Sequence, residues 1–294
     1  MANTDHNIKP SWLKVKIPSH QNFFKVSKIL KENKLHTICQ SAKCPNVSEC
    51  WSQKTATFMI MGDVCTRNCS FCAVKHGTPI PVSETEPVQI ANAVSSLELK
   101  YVVITSVTRD DLKDGGASFF AETITAIRDK MPEAKIEVLI PDFNGALESL
   151  EKVVEAGPDV INHNVETTNN LYTQINRPPE NYDRSLNILE NAKKMGAFTK
   201  SGMMIGLGEE KKEILQTLSD LRGVSCELLT IGQYLQASKN NIPVKKFYCP
   251  EEFNQLKKIA YDLGFIHVES GPLVRSSYKA SNMYHSIFSN MAKN

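Results

Sequence analysis

The chain has 294 residues, 41% hydrophobic and 22% charged, and 34 basic against 32 acidic side chains leave a formal net charge of +2. That balance is globular, with enough chain for a sizeable core; it provides no global field for nucleic acid or an acidic membrane, so neither is expected as a partner. No apolar run reaches the roughly 20 residues of a membrane span, residues 1–10 hold no hydrophobic leader core, and the first arginine is Arg67, so the expected location is the cytoplasm, or an organelle for a matured chain.

Residues 1–55 are rich in Lys, Asn and Ser with little periodicity, and one helix is expected near Phe24 to Lys31. From Thr57 onward, short apolar runs alternate with amphipathic stretches. The runs lie at 57–61, 101–107, 135–140, 160–164, 199–207 and 228–234, and near-continuous apolar runs of this length suit strands buried on both faces. Between them, Leu147, Leu150, Val153 and Val154 share a helical face that stops at Gly157-Pro158. Leu186 and Leu189 precede Met195-Gly196 in the same way, and acidic Glu209 and Glu210 open a further helix. Phe253, Leu256, Ile259, Ala260 and Leu263 form a last stripe ending at Gly264. Strands alternating with helices imply parallel strands joined by right-handed crossovers. Six such units are too few to close an eight-unit barrel. The expected fold is therefore α/β, a partial (β/α)6 barrel over 56–270 with an N-terminal extension (1–55) and a C-terminal segment (271–294); a doubly wound open sheet is the alternative.

Six of the eight cysteines fall between Cys39 and Cys72, and such crowding in a chain of regular α/β pattern points to metal rather than disulfides. Cys65, Cys69 and Cys72 form C-x3-C-x2-C directly after the first strand, where parallel α/β folds place reactive loops. Four-iron clusters usually take four thiolates, so three leave one iron open to another ligand. Cys39, Cys44 and Cys50 form a second triad, C-x4-C-x5-C, unlike the C-x2-C pairs of zinc knuckles. Buried inert thiols, three disulfides, or two zinc ions completed by His36 or His76 are the alternatives. Cys226 and Cys249 stand alone and read as small buried hydrophobes.

The first triad loop, with Phe71 before its last cysteine, resembles the cluster loop of the radical S-adenosylmethionine (SAM) superfamily. Within that superfamily, LHTICQSAKCPNVSECW at 35–51 and TATFMIMGDVCTRNCSFC at 55–72 look like the two cluster segments of lipoyl synthases. TSVTRDDLKDGGA at 105–117, NHNVET at 162–167, RSL at 184–186, KSGMMIGLGE at 200–209, TIGQYLQ at 230–236 and GPLVRSSY at 271–278 are similar to further blocks of that family. The resemblance runs from about Trp12 to Tyr284. It departs at Glu227, where Asp is expected, at Ala237, where Pro is expected, and at NIPV over 241–244, where HLPV is expected.

The resemblance implies two [4Fe-4S] clusters and S-adenosylmethionine. Cys65, Cys69 and Cys72 would hold the cluster that cleaves S-adenosylmethionine to a 5′-deoxyadenosyl radical. Cys39, Cys44 and Cys50 would hold an auxiliary cluster consumed as the sulfur source, with Ser277 as its fourth ligand; Ser277 and Arg275 are the expected catalytic residues. Asn164, Glu166, Gly206 and Glu209 are the expected contacts to S-adenosylmethionine, although a tight strand-to-helix turn accounts equally well for Gly206. Arg109, Asp110 and Asp111 are expected to pair with one another on the surface. The implied substrate is a protein-bound octanoyl group that gains sulfur at C6 and C8. Its carriers would be acyltransferase subunits of 2-oxo acid dehydrogenases and the glycine cleavage H protein, with an electron donor and a cluster-repair factor as further partners. The rivals are another sulfur-inserting radical enzyme such as biotin synthase, a zinc-binding nucleic-acid module, and an iron–sulfur electron carrier.

Overall fold

The computed structural model describes residues 9–15 and 20–291. Most of the 1–10 stretch read for a leader lies outside them, as do the last three residues. Six expected strands are present: β2 (Thr57–Ile60), β5 (Tyr101–Ser106), β6 (Lys135–Leu139), β7 (Val160–Asn162), β8 (Thr199–Ile205) and β9 (Leu228–Gln233). Three further strands precede or interrupt them, β1 (His36–Thr37), β3 (Val64–Cys65) and β4 (Lys75–His76), and a fourth follows, β10 (His267–Gly271). The main sheet runs β1-β2-β5-β6-β7-β8-β9-β10, and every pair is parallel except β1 with β2.

The strands from β2 to β10 follow one another in chain order without reversal. A doubly wound sheet requires a reversal of strand order, so that alternative falls. Crossovers of one hand, each stepping the same way, put all their helices on one face. These are α4 (Glu86–Leu97), α5 (Ala117–Lys130), α6 (Leu147–Glu155), α7 (Asn181–Lys194), α8 (Lys211–Gly223) and α9 (Pro250–Asp262). Their apolar faces meet the outer side chains of the strands, for example Val102, Ile104, Ile136 and Val138 in one cluster and Met203, Ile205, Leu229 and Ile231 in another. Two residues expected on apolar stripes, Leu147 and Leu263, are instead exposed at the ends of their helices. The helix expected from Glu209 begins at Lys211, because Glu210 is its N-cap in a capping box with Glu213.

The inner face is closed at the N-terminal ends of the strands by α10 (Ala280–Met291), whose Ala280, Met283 and Tyr284 pack on Tyr101, Val103, Val160 and Leu228. One layer higher, Lys200 Nζ reaches the Glu137 carboxylate at 2.8 and 3.1 Å, and Tyr101 Oη and Asn162 Nδ2 donate to the same carboxylate at 2.7 and 3.0 Å. Above this floor, β8 and β9 present Gly202 and Gly232 inward, and chain from the C-terminal segment occupies the space. A Cβ at Gly232 would stand 2.2 Å from the Val274 carbonyl oxygen, and one at Gly202 would stand 3.1 Å from Ser276 Oγ. Gly232→Ala is therefore expected to cost about 2 kcal/mol and to unseat the C-terminal segment. Gly223→Ala, where nothing lies within 4 Å, is the control, and thermal unfolding of the two variants checks the difference.

The N-terminal extension folds as α1 (Gln21–Glu32), α2 (Ile38–Ser41) and α3 (Val47–Ser52). The expected helix near Phe24 to Lys31 is the middle of α1, which buries Val26 and Leu30.

Candidate cluster sites

The C-x3-C-x2-C loop starts from a backbone reversal in which Met61 and Gly62 have φ of +66° and +89°. Buried Glu86 accepts the Met61 N–H at 2.7 Å, and Arg109 Nη1 donates to the Met61 carbonyl at 3.3 Å. Arg109 also holds Asp111 with two bonds of 2.9 and 2.8 Å. The expected Arg109–Asp111 pair is present and both Asp110 and Asp111 are exposed, but Arg109 itself is only 2% exposed and supports the loop from beneath. Asp110 turns away to Arg67, whose guanidinium also meets Asp142 and Asn144. Burial opposes the Arg67 charge, but the hydrogen bonds it donates to Asp110 and Asp142 outweigh that and raise the group.

Three strand-end loops clamp the cysteines. The Thr108 N–H donates to Cys65 Sγ at 3.3 Å, as the Arg67 N–H does at 3.4 Å. The Ser70 N–H donates to the Ile175 carbonyl, and Asn176 Nδ2 donates to the Asn68 carbonyl. From the loop after β9, Asn241 Nδ2 donates to the Ser70 and Cys72 carbonyls at 3.2 and 2.8 Å. Arg177 Nε donates to Cys69 Sγ at 3.3 Å, and the guanidinium lies 5.6 Å from the Phe71 ring centroid and 3.6 Å from Glu166 Oε1. Burial pushes the Cys72 thiol up to about 12, with the charges of Cys69, Glu166 and Cys65 adding to it.

Glu166 sits at the C-terminal end of β7, with φ of +65°, beside Asn164. Burial raises its carboxyl, and Arg177 opposes the shift. Glu209 bends back on its own loop, accepting the N–H groups of Gly206, Leu207 and Gly208 at 2.6, 2.9 and 3.1 Å. A Cβ on Gly206 would meet Gln233 Nε2 at 2.1 Å and the Lys246 carbonyl oxygen at 2.6 Å, so that turn is packed against β9 and the loop beyond it.

The second triad lies on α2, α3 and the turn between them. Burial raises Cys39 and Cys44 and pushes Cys50 to about 12, and the neighbouring sulfurs add to the shifts of Cys39 and Cys50. The C-terminal segment reaches this triad from inside the barrel. Asn46 Nδ2 donates to the Leu273 carbonyl at 2.6 Å, and Tyr278 Oη donates to Glu49 Oε1 at 3.2 Å. Thr57 Oγ1 donates to Ser277 Oγ at 2.9 Å, and Ser276 Oγ donates to Asn164 Oδ1 at 3.0 Å. Burial lowers Arg275, and the charge of Cys44 opposes that shift. The structure therefore brings Cys39, Cys44, Cys50, Arg275 and Ser277 into one neighbourhood. Cys65, Cys69, Cys72, Asn164 and Glu166 form a second, and Asn164 links it to the first by accepting from Ser276, the neighbour of Arg275 and Ser277.

Both triads suit iron–sulfur ligation. Backbone and guanidinium donors already point at Cys65 and Cys69, as cluster sulfurs require. The buried Trp51 Nε1–H has no oxygen partner among the described residues and lies against Cys39. Among the described residues no three His, Cys, Asp or Glu side chains converge as a single ion demands; a four-iron cube does not require this, because each thiolate binds a different iron.

The Radical SAM superfamily profile matches residues 59–221, and that for the N-terminal domain of lipoyl synthase matches residues 1–44. A lipoyl synthase of Caldicellulosiruptor bescii is 56% identical over 276 residues, covering 93% of this chain and 94% of the relative. The chain belongs to the lipoyl synthase family. A lipoyl synthase of Bacillus cereus (strain Q1) is 49% identical over 293 residues, 99% of this chain and 98% of the relative. Two solved structures share the fold. Methylornithine synthase aligns with a TM-score of 0.54 at 14% identity, covering 72% of this chain and 69% of that one. The [FeFe]-hydrogenase maturase HydG aligns with 0.57 at 13% identity, covering 78% and 61%. As a lipoyl synthase the chain is a sulfur-inserting radical SAM enzyme, and the superfamily implies a [4Fe-4S] cluster and S-adenosylmethionine. Among the described residues no helix is long and apolar enough to cross a membrane.

Two of the three family departures, Glu227 and Asn241, have local accounts. Glu227 accepts from Lys193, from the Thr199 N–H at 2.8 Å and from Thr199 Oγ1 at 3.0 Å, tying the start of β8 to α7. Asn241 is one of the clamps on the cysteine loop. Cys226 is fully buried as expected, whereas Cys249 is only half-buried and serves as the N-cap of α9 in a capping box with Glu252. Sequence reasoning missed Arg177, Thr57 and Asn241, each distant in the chain from what it touches.

Proposed function

We propose that this lipoyl synthase divides its chemistry between the two neighbourhoods. Cys65, Cys69 and Cys72 hold the [4Fe-4S] cluster that supplies the electron for cleaving S-adenosylmethionine. Cys39, Cys44 and Cys50, with Ser277 as fourth ligand, hold a second [4Fe-4S] cluster that is the sulfur substrate for C6 and C8 of a protein-bound octanoyl group. The observation that carries this reading is the arrival of the 271–278 segment at the second triad, with Ser277 and Arg275 beside its cysteines. The labour follows the chain: 1–55 carries the sulfur source, 56–270 the radical barrel and 271–294 the segment completing the second site.

The chain's own groups do the holding. Arg177 steadies Cys69 and Phe71 and partly balances Glu166. Glu166 and Asn164 stand at the strand ends where the ribose and methionine groups of S-adenosylmethionine would bind. Glu209 fixes the 206–208 turn, and Gly206 lets it pack closely for the adenosine side. Arg275 places a buried positive charge beside Cys44, offsetting thiolate charge when the cluster is held. The thiols that burial keeps protonated release their protons on iron uptake.

The substrate carriers would be octanoylated acyltransferase subunits of 2-oxo acid dehydrogenases and the glycine cleavage H protein. An electron donor and a cluster-repair factor would complete the cycle in the cytoplasm. The test is a mass spectrum of an octanoyl-lysyl peptide after anaerobic incubation with reconstituted protein, reductant and S-adenosylmethionine. Gain of two sulfurs with loss of two hydrogens, together with 5′-deoxyadenosine, is expected. 5′-Deoxyadenosine with an unchanged peptide would remove the octanoyl substrate from the reading.

A further inference from the structure

Thr57 opens β2 with its side chain on the inner face, 3% exposed, between the second cysteine triad and the C-terminal segment. Its hydroxyl donates to Ser277 Oγ at 2.9 Å. Its backbone and side chain also lie beside the Cys39 thiol, where they favour the thiolate. One residue, 220 positions from Ser277 in the chain, thus faces a cysteine and the serine placed with it. Among the described residues no other side-chain hydrogen bond to Ser277 competes with this contact; its neighbour Ser276 is held separately by Asn164.

We propose that Thr57 is a positioning residue for Ser277: its hydroxyl fixes Ser277 Oγ at the triad and stabilises that oxygen when it carries negative charge as a ligand. The proposal rests on Ser277 being the fourth ligand. A hydrogen bond to a charged oxygen is among the strong ones, and a serine side chain without it turns freely about χ1. The methyl of Thr57 only fills space, so the positioning resides in the hydroxyl. Thr57→Val keeps the shape and removes the donor, whereas Thr57→Ser keeps the donor and removes the methyl.

The test uses the full-length chain with Cys65, Cys69 and Cys72 all replaced by Ala, so that only the Cys39 group loads iron. After anaerobic reconstitution, iron release to a ferrous chelator is timed and the Mössbauer spectrum recorded. Thr57→Val is expected to release iron roughly tenfold faster and to change the signal of the iron bound to oxygen. Thr57→Ser is expected to behave like the parent. In a Ser277→Ala background, Thr57→Val is expected to add nothing, because the residue it positions is gone. Equal rates and spectra for Thr57→Val and the parent, alongside fast release by Ser277→Ala, would overturn the role of Thr57 and leave the ligand assignment standing. An additive effect in the Ser277→Ala background, or equal loss with Val and Ser, would show packing alone and would also overturn it. If Ser277→Ala itself changes neither rate nor spectrum, the ligand assignment fails and the proposal fails with it.

Discussion

Cys65→Ala is expected to reduce 5′-deoxyadenosine formation to background, whereas Cys39→Ala is expected to leave it near the parental level while abolishing sulfur insertion. The contrast follows from how the two triads are supported. The Cys65 loop is held by the strand-end loops after β5, β7 and β9, through Thr108, Ile175 and Asn241. The Cys39 group is held by α2, α3 and the 273–278 segment. A lost thiolate should therefore empty one site without distorting the other. Each variant should carry about four irons per chain where the parent carries about eight. Without a cluster on the Cys65 loop no electron reaches S-adenosylmethionine, and no acid–base side chain substitutes for that step. Iron analysis and chromatography of the cleavage product, run on the same preparations, check both halves. Loss of 5′-deoxyadenosine by Cys39→Ala at four irons per chain would end the division of labour.

The parts of this architecture that depend on neighbouring residues were legible in the sequence. Both cysteine triads, the six strands and the stops at Gly157, Gly196 and Gly264 are local patterns, and spacing alone exposes them. The seventh parallel strand, β10, was not, because only Val268 of its five residues is buried and its polar side chains break the apolar run. The plug α10 was missed for a related reason: the face carrying Met283 and Tyr284 is interrupted by serines and asparagines, so it reads as a polar tail. The supports of the site were hidden more deeply. Arg177 meets Cys69 across 108 positions and Asn241 meets Cys72 across 169. No motif surrounds Arg177, and 241–244 stands out only as a departure from the family, since the contacts exist only once the strand ends gather. Ser277 is a clear case of the same limit. Its surroundings in the chain fit a turn serine, and only family resemblance singled it out before the fold placed it beside Thr57.

Lys200→Met is expected to destabilise the protein by about 3–5 kcal/mol, a large part of the ~5–15 kcal/mol that holds a typical domain. Lys200 is 0% and Glu137 1% exposed, and their ion pair lies inside the barrel among Tyr101 and Asn162. Removing the ammonium strands a carboxylate in a place water does not reach. Adding Glu137→Gln should recover most of the loss, because the amide has no charge to desolvate, its oxygen still accepts from Tyr101, and its NH2 can donate to the unpartnered Asn162 Oδ1 once that amide turns over. Thermal unfolding of the two single variants and the double checks this, and a drop of roughly 10 °C is expected for Lys200→Met alone. An unchanged midpoint would mean that the pair contributes nothing to the fold. The consequence reaches the chemistry because of where the pair sits. Gly202 is the next inward residue of β8 above Lys200, and Ser276 rests against it. A floor that swells or tilts should move the 273–278 segment before it moves the clamped Cys65 loop. Lys200→Met should accordingly lose iron from the Cys39 group first, at temperatures where 5′-deoxyadenosine formation is still intact.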